Sequence, residues 1–178
     1  MAGVASWLGV WTACKREHSA LSRRERSLAR SCFLYLLPPG DGPSAEDIHC
    51  MAHFENILAD PRYDPDIKAH YLQGLRRASE QAQAMYGQSV DALTNELVEE
   101  FWNQIKEQAW GERWLSAMLN VVIEALLLDE IYGVNPAGVG WQWLGHAPGL
   151  PRPNASNRYP RILERKQEQY LIQSLEQL

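Results

Sequence analysis

From Leu21 to Leu128 the apolar residues of this chain return every three or four positions, and almost nowhere do they alternate with polar ones. That spacing lines up side chains on one face of an α-helix, whereas a half-buried strand needs a repeat of two. The pattern predicts an all-α chain, a helical bundle of about five to six helices. With 178 residues and 20.3 kDa the length fits one domain. Hydrophobic residues make up 46% and charged residues 22%, enough apolar material for a core and too little charge for a disordered chain. A chain of this size buries about two thirds of its unfolded surface and needs no disulfide or metal staple.

Punctuation residues divide the helical stretch. Residues 21–37 place Leu21, Leu28, Cys32 and Leu36 on one side and stop at Pro38-Pro39-Gly40. Ser44, with Asp47 three residues later, reads as a capping box opening a helix through Ile48, Met51, Ala52, Ile57 and Leu58. Asp64-Pro65 is the clearest start in the chain, an Asp cap followed by a proline whose missing N–H costs nothing in the first turn. Ile67, Tyr71, Leu75, Ala78, Ala82 and Met85 then recur until Gly87 ends the helix. Thr94 caps a fourth helix carrying Leu97, Phe101 and Ile105. Residues 112–130 are the most apolar, on more than one face, which predicts a helix running through the middle of the bundle.

Charge and cysteines exclude several functions. The net charge is −5, yet residues 15–30 carry a local +4, so the remainder is strongly acidic. An acidic body argues against nucleic acid as a partner, because phosphate binding needs a basic face. Cys14, Cys32 and Cys50 form no C-x-x-C, so no zinc ribbon, thioredoxin site or c-type haem attachment is expected. No stretch approaches the roughly 18 uninterrupted apolar residues of a membrane span; the run from Val121 to Leu128 is broken by Glu124. Two readings fit the apolar stretch Ala2 to Ala13: the remnant of an export signal, or a short helix packing on the core. Residues 1–20 are accordingly set apart as a signal remnant or N-terminal extension, and residues 21–178 as the helical domain.

The search for chemistry is brief. His49 and His53 stand four apart on the expected second helix, a spacing that can share one metal, but no third ligand is forced onto that face. They read as partly exposed helix histidines. Glu46-x-x-His49 is the single Glu-x-x-His, where a di-iron bundle needs two. His146 has no nucleophile or carboxylate beside it, and no hydrolase, nucleotide-binding or zinc-protease motif occurs. The expectation is no catalytic residue, no bound cofactor and no metal in this chain.

Residues 133–160 break the helical pattern. They hold five of the twelve glycines and five of the ten prolines, with Trp141, Trp143 and Tyr159 inside. A structureless loop of this length is usually functional or disordered, and large aromatic rings need something to cover them. Trp and Tyr among Gly and Pro give the rigid contact area of interface anchors, while the alternative is that both indoles cover the bundle's own core. A last helix, from about Arg161 to Leu178, carries a thin stripe of Tyr170, Leu171, Leu175 and Leu178 that suits docking on the body or on a partner.

The segment Asp129-Glu130-Ile131-Tyr132-Gly133-Val134-Asn135, followed by Gly140-Trp141-Gln142-Trp143-Leu144-Gly145-His146-Ala147-Pro148-Gly149, resembles the closing signature of the gluconate 2-dehydrogenase subunit 3 family. Upstream segments agree in order, and the resemblance covers about residues 28–150. Val134 departs from it, where many members have a second glycine, and no complete twin-arginine signal is present. The resemblance implies a non-catalytic small subunit of a membrane-associated sugar or polyol dehydrogenase. Its large subunit is a flavoprotein of the glucose-methanol-choline type holding FAD, and a multihaem cytochrome c subunit accepts the electrons. The small subunit is then an escort for folding and export, periplasmic and held at the inner membrane through partners or a lipidated N-terminus. On this reading Tyr132, Gly133, Asn135, Gly140, Trp141, Trp143 and Gly145 lie in the segment that touches the large subunit. The alternative is a stand-alone helical chaperone for redox enzyme maturation, which would remain cytoplasmic.

Overall fold

The computed structural model describes residues 21–146. The expected signal remnant at 1–20, the loop beyond His146 and the terminal helix from Arg161 lie outside the described residues. Within them the chain is helical throughout, with six α-helices and no strand: α1 (Arg23–Leu36), α2 (Cys50–Ala59), α3 (Pro65–Tyr86), α4 (Asn95–Lys106), α5 (Ala109–Leu127) and α6 (Val139–Leu144). Short 3₁₀ turns at Val90–Ala92, Glu130–Tyr132 and Pro136–Gly138 connect them.

Local chemistry sets both ends of α3 and the start of α1. Ser22 and Glu25 form a full capping box at the start of α1, the Glu25 N–H donating to Ser22 Oγ at 3.2 Å and the Ser22 N–H to Glu25 Oε2 at 2.9 Å. Asp64 caps α3 by accepting from the Asp66 N–H at 2.8 Å, with Pro65 in the first turn. Gly87 ends α3 in the left-handed conformation at φ +67°, where a side chain would be strained.

The second helix departs from expectation. Ser44 and Asp47 do form their box, the Asp47 N–H donating to Ser44 Oγ at 3.3 Å and the Ser44 N–H to Asp47 Oδ2 at 2.8 Å. It opens only one turn. His49 takes a left-handed φ of 56°, its N–H bonds to Glu46 O, and the Cys50 N–H reaches back to Ala45 O. This is the hydrogen-bond pair that closes a helix, so α2 starts afresh at Cys50.

The helices surround α5, which packs against α1, α2, α3, α4 and α6. Its buried side is Trp114, Leu115, Met118, Val121, Val122, Ala125 and Leu126. Trp114 stacks on Trp102 of α4 at 6.2 Å between ring centroids, and Phe101 meets Trp102 edge-on at 4.8 Å. Phe33, Phe54 and Tyr71 continue this aromatic core edge to face through α1, α2 and α3. Both buried indoles have partners: Trp102 donates to Ser31 Oγ at 3.0 Å and Trp114 to Tyr71 O at 3.2 Å. Gly74 permits that crossing, because a Cβ there would overlap the Trp114 ring. The central position predicted from apolarity is correct for one side of α5 only. Leu119, Ile123 and Leu127, at successive turns of the opposite side, are exposed.

Candidate partner-binding surface

The chain beyond α5 is built, rather than loose, from Asp129 to His146. Asp129 Oδ1 accepts from the Ile131 N–H at 2.9 Å and caps the turn Glu130–Tyr132. Gly133 ends that turn at φ +78°. Val134 and Asn135 then turn inward and are buried, and Asn135 holds a left-handed φ of 49° that asparagine tolerates better than most residues. The chain emerges through Pro136–Gly138 into the six-residue α6.

Asn135 organises this segment. Its amide Nδ2 donates to Leu126 O at 3.1 Å and Leu128 O at 3.0 Å, and its Oδ1 accepts from the Gly140 N–H at 2.7 Å. Its backbone N–H donates to Ile48 O at 3.1 Å. Trp141 Nε1 donates to Leu127 O at 2.8 Å. The last carbonyls of a helix have no partner within it; here three consecutive ones at the end of α5 are met by two side chains from the following turn. Gly140 lies so close to Leu126 O that a Cβ would not fit. The segment is also tied to the ends of α2, the Nδ1–H of His49 donating to Gly133 O at 3.3 Å and Asn56 Nδ2 to Tyr132 O at 3.4 Å.

The seven residues singled out from the sequence therefore separate. Asn135 and Gly140 make internal contacts and are buried, and Trp141 is half-buried against α5. Gly133 and Gly145 are exposed and serve left-handed turns. Tyr132 is 60% exposed and Trp143 47%, the latter with its ring lying on Gly42 of the Pro38–Pro43 loop. Thus one of the two loop indoles is turned toward the body and the other largely outward. Two neighbours that sequence reasoning passed over, Ile131 and Leu144, are exposed beside them. Their signal was present: Ile131 follows a capping Asp in a turn too short to bury it.

His49 and His53 do not come together as a pair. The left-handed turn removes His49 from α2, so the expected four-residue spacing on one helix face is lost. His53 Nε2 instead donates to Glu124 Oε2 on α5 at 2.9 Å. Among the described residues no group of three or more His, Cys, Asp or Glu is placed to hold a metal. Cys32 and Cys50 are buried free thiols, and burial pushes both far above the ordinary thiol range. His146 is exposed, its ring edge-on to Trp141 at 6.2 Å. Glu96, Glu99, Glu100 and Glu107 form an exposed acidic face on and just beyond α4.

What fold and surface define, among the described residues, is a small helical body closed around α5, whose cross-braced end segment carries the exposed side chains Ile131, Tyr132, Trp143 and Leu144. The family model described as gluconate 2-dehydrogenase subunit 3 matches residues 23–149, and the chain belongs to that family. The name is that of one subunit in a multi-subunit dehydrogenase. No curated protein and no solved structure matches the chain. No helix among the described residues is long and apolar enough to cross a membrane.

Proposed function

We propose that this chain is the non-catalytic small subunit of a membrane-associated, FAD-dependent sugar or polyol dehydrogenase of the glucose-methanol-choline type. It supports folding, export and stability of the flavoprotein, which holds the FAD and passes electrons to a cytochrome c subunit. The complex works in the periplasm at the inner membrane, and this chain reaches the membrane through its partners or its N-terminus.

The observation that carries the reading is the exposure of four large apolar side chains on one braced segment. Ile131, Tyr132, Trp143 and Leu144 expose apolar and aromatic area on a backbone already fixed by Asn135, Trp141 and the ends of α2 and α5. Exposed aromatic anchors on a rigid frame lose little conformational entropy on binding, which is what an interface centre needs. Family membership supports a further dehydrogenase subunit as the partner.

The test is co-expression with the flavoprotein encoded by the same host and purification through a tag on this chain. A co-purifying large chain with a flavin spectrum and gluconate-, sugar- or polyol-dependent dye reduction is the expected result. Replacing Tyr132→Ala and Trp143→Ala together removes two anchors and lowers affinity by about thirtyfold or more. Recovery of the chain alone, colourless and stable, overturns the subunit reading in favour of a transient helical chaperone acting in the cytoplasm.

A further inference from the structure

Arginines elsewhere in the bundle already meet a carboxylate: Arg26 pairs with Glu55, Arg30 with Glu46, Arg62 with Asp60 and Arg76 with Glu25. Arg77 on α3 and Arg113 on α5 meet none among the described residues. Both line one recess of about 250 Å³ between these two helices, near the start of α5.

The crossing of α3 and α5 builds this recess. Gly74, where a Cβ would overlap the Trp114 ring, lets that indole reach it, and Trp110 lines it one turn earlier. The Arg77 guanidinium lies over the Trp110 ring, 4.4 Å from its centroid. Stacking fixes the plane of the group and leaves its N–H donors free. Arg113 spends only Nε, on Ala109 O at 2.9 Å, and keeps both terminal nitrogens. The indole N–H of Trp110 donates to Gln108 Oε1 at 2.7 Å and that of Trp114 to Tyr71 O, so the rings offer the recess apolar surface rather than donors. His70 stands beside them. Asp66 and Glu80 on α3, with Glu107 and Glu112 near the start of α5, are the nearest acids along the chain, and none of them lines the recess.

Cationic donors are thus held beside aromatic rings with no acceptor of opposite charge between them. A guanidinium fork matches the planar carboxylate and pairs with it through two parallel bonds. Aromatic surface suits a carbon stem, which an organic acid carries and an inorganic phosphate lacks. We propose that this recess binds a carboxylate on an apolar stem, Arg77 and Arg113 pairing with the acid and the indoles meeting the stem. Such a group belongs to a small organic acid or to a glutamate side chain of a partner protein. Neither arginine is among the residues that carry the dehydrogenase reading, so this inference stands independently of it.

The test titrates the ¹⁵N-labelled full chain with benzoate, with a capped Gly-Glu-Gly peptide and with inorganic phosphate, at constant ionic strength. A saturable shift of the Trp110 indole N–H and the Arg77 and Arg113 Nε–H signals is expected with a carboxylate, and phosphate is expected to bind about tenfold more weakly or less. The tighter of benzoate and peptide names the source, a free acid or a partner's glutamate. Arg77→Gln and Arg113→Gln are each expected to lower that affinity about tenfold. Both side chains are exposed, so Tm and helix content should stay unchanged. Three results overturn the proposal: no saturable shift with either carboxylate, phosphate binding as tightly as both, or an affinity that neither substitution moves.

Discussion

Asn135 and Trp141 divide the end of helix α5 between them: the amide takes Leu126 O and Leu128 O, and the indole takes Leu127 O between. Three carbonyls that a helix cannot satisfy internally are thereby removed from solvent demand. The same amide, through Oδ1 and the Gly140 N–H, fixes where α6 starts and so where Trp143 and Leu144 emerge. The support of the proposed binding segment is thus a helix-ending device.

Asn135→Ala leaves two buried carbonyls and the Gly140 N–H without partners and puts alanine in a left-handed turn. The expected loss of stability is about 2–4 kcal/mol, read by urea or thermal denaturation. Asn135→Asp, nearly the same shape, is expected to be comparably harmful, because a carboxylate cannot donate to Leu126 O and Leu128 O. Trp141→Phe removes one bond at a half-buried place and should cost about 1 kcal/mol. A harmless Asn135→Asp would show that shape and not donation matters here.

Gly74→Ala is expected to destabilise the chain by about 1–3 kcal/mol, since the added methyl overlaps the Trp114 indole. Helix propensity alone predicts a gain of up to about 1 kcal/mol from the same change. The sign of the measured change in Tm therefore decides between close packing and local propensity at this position.

Trp143→Ala should behave in the opposite way to Asn135→Ala. Its ring is half in solvent and rests on a loop glycine, so unfolding by denaturant should shift by no more than about 1 kcal/mol. Co-purification of the large subunit should fall sharply. A large stability loss with unchanged complex yield would make Trp143 a core residue.

Acid should weaken the fold through its capping carboxylates. Hydrogen bonds from the Arg62 guanidinium and backbone N–H hold Asp60 down to about 2 from an ordinary 3.8. Bonds from the hydroxyl and N–H of Ser44 lower Asp47 likewise. A carboxyl whose pKa is lower in the folded state adds stability that is complete above its unfolded value. That stability is lost as the pH falls through the range from about 4 to 2. Asp60→Asn should lower the neutral plateau and flatten this acid limb, so that the two proteins converge toward low pH, as followed by Tm between pH 6 and 2.5.

The thiols of Cys32 and Cys50 should resist alkylation. Both are buried and held protonated far above the ordinary thiol range, and the thiolate is the reactive form. In a Cys14→Ser variant, iodoacetamide at pH 8 is expected to label neither within the time that labels both in denaturant. Rapid native labelling of either would show that α1 and α2 separate locally.

What could be read from the sequence was what neighbours in the chain decide. Asp64-Pro65 and Gly87 bound α3 because an N-cap, a proline and a left-handed glycine act within one turn, and Leu28, Cys32, Phe101 and Ile105 are buried because periodicity alone puts them on one face. The family signature from Asp129 to His146 was legible too, as a pattern of residue types. Its internal division was not. Asn135 and Tyr132 are three residues apart, yet one is sealed inside and the other mostly exposed, because the open carbonyls of α5 claim the first and nothing claims the second. The Ser44 box likewise announced a longer helix. Its stop at His49 coincides with Asn135 taking Ile48 O and Gly133 O meeting the His49 ring, from more than 80 residues away. Hydrogen-bond demand left at helix ends is satisfied by whatever the tertiary fold brings near, and that proximity is not written in local spacing.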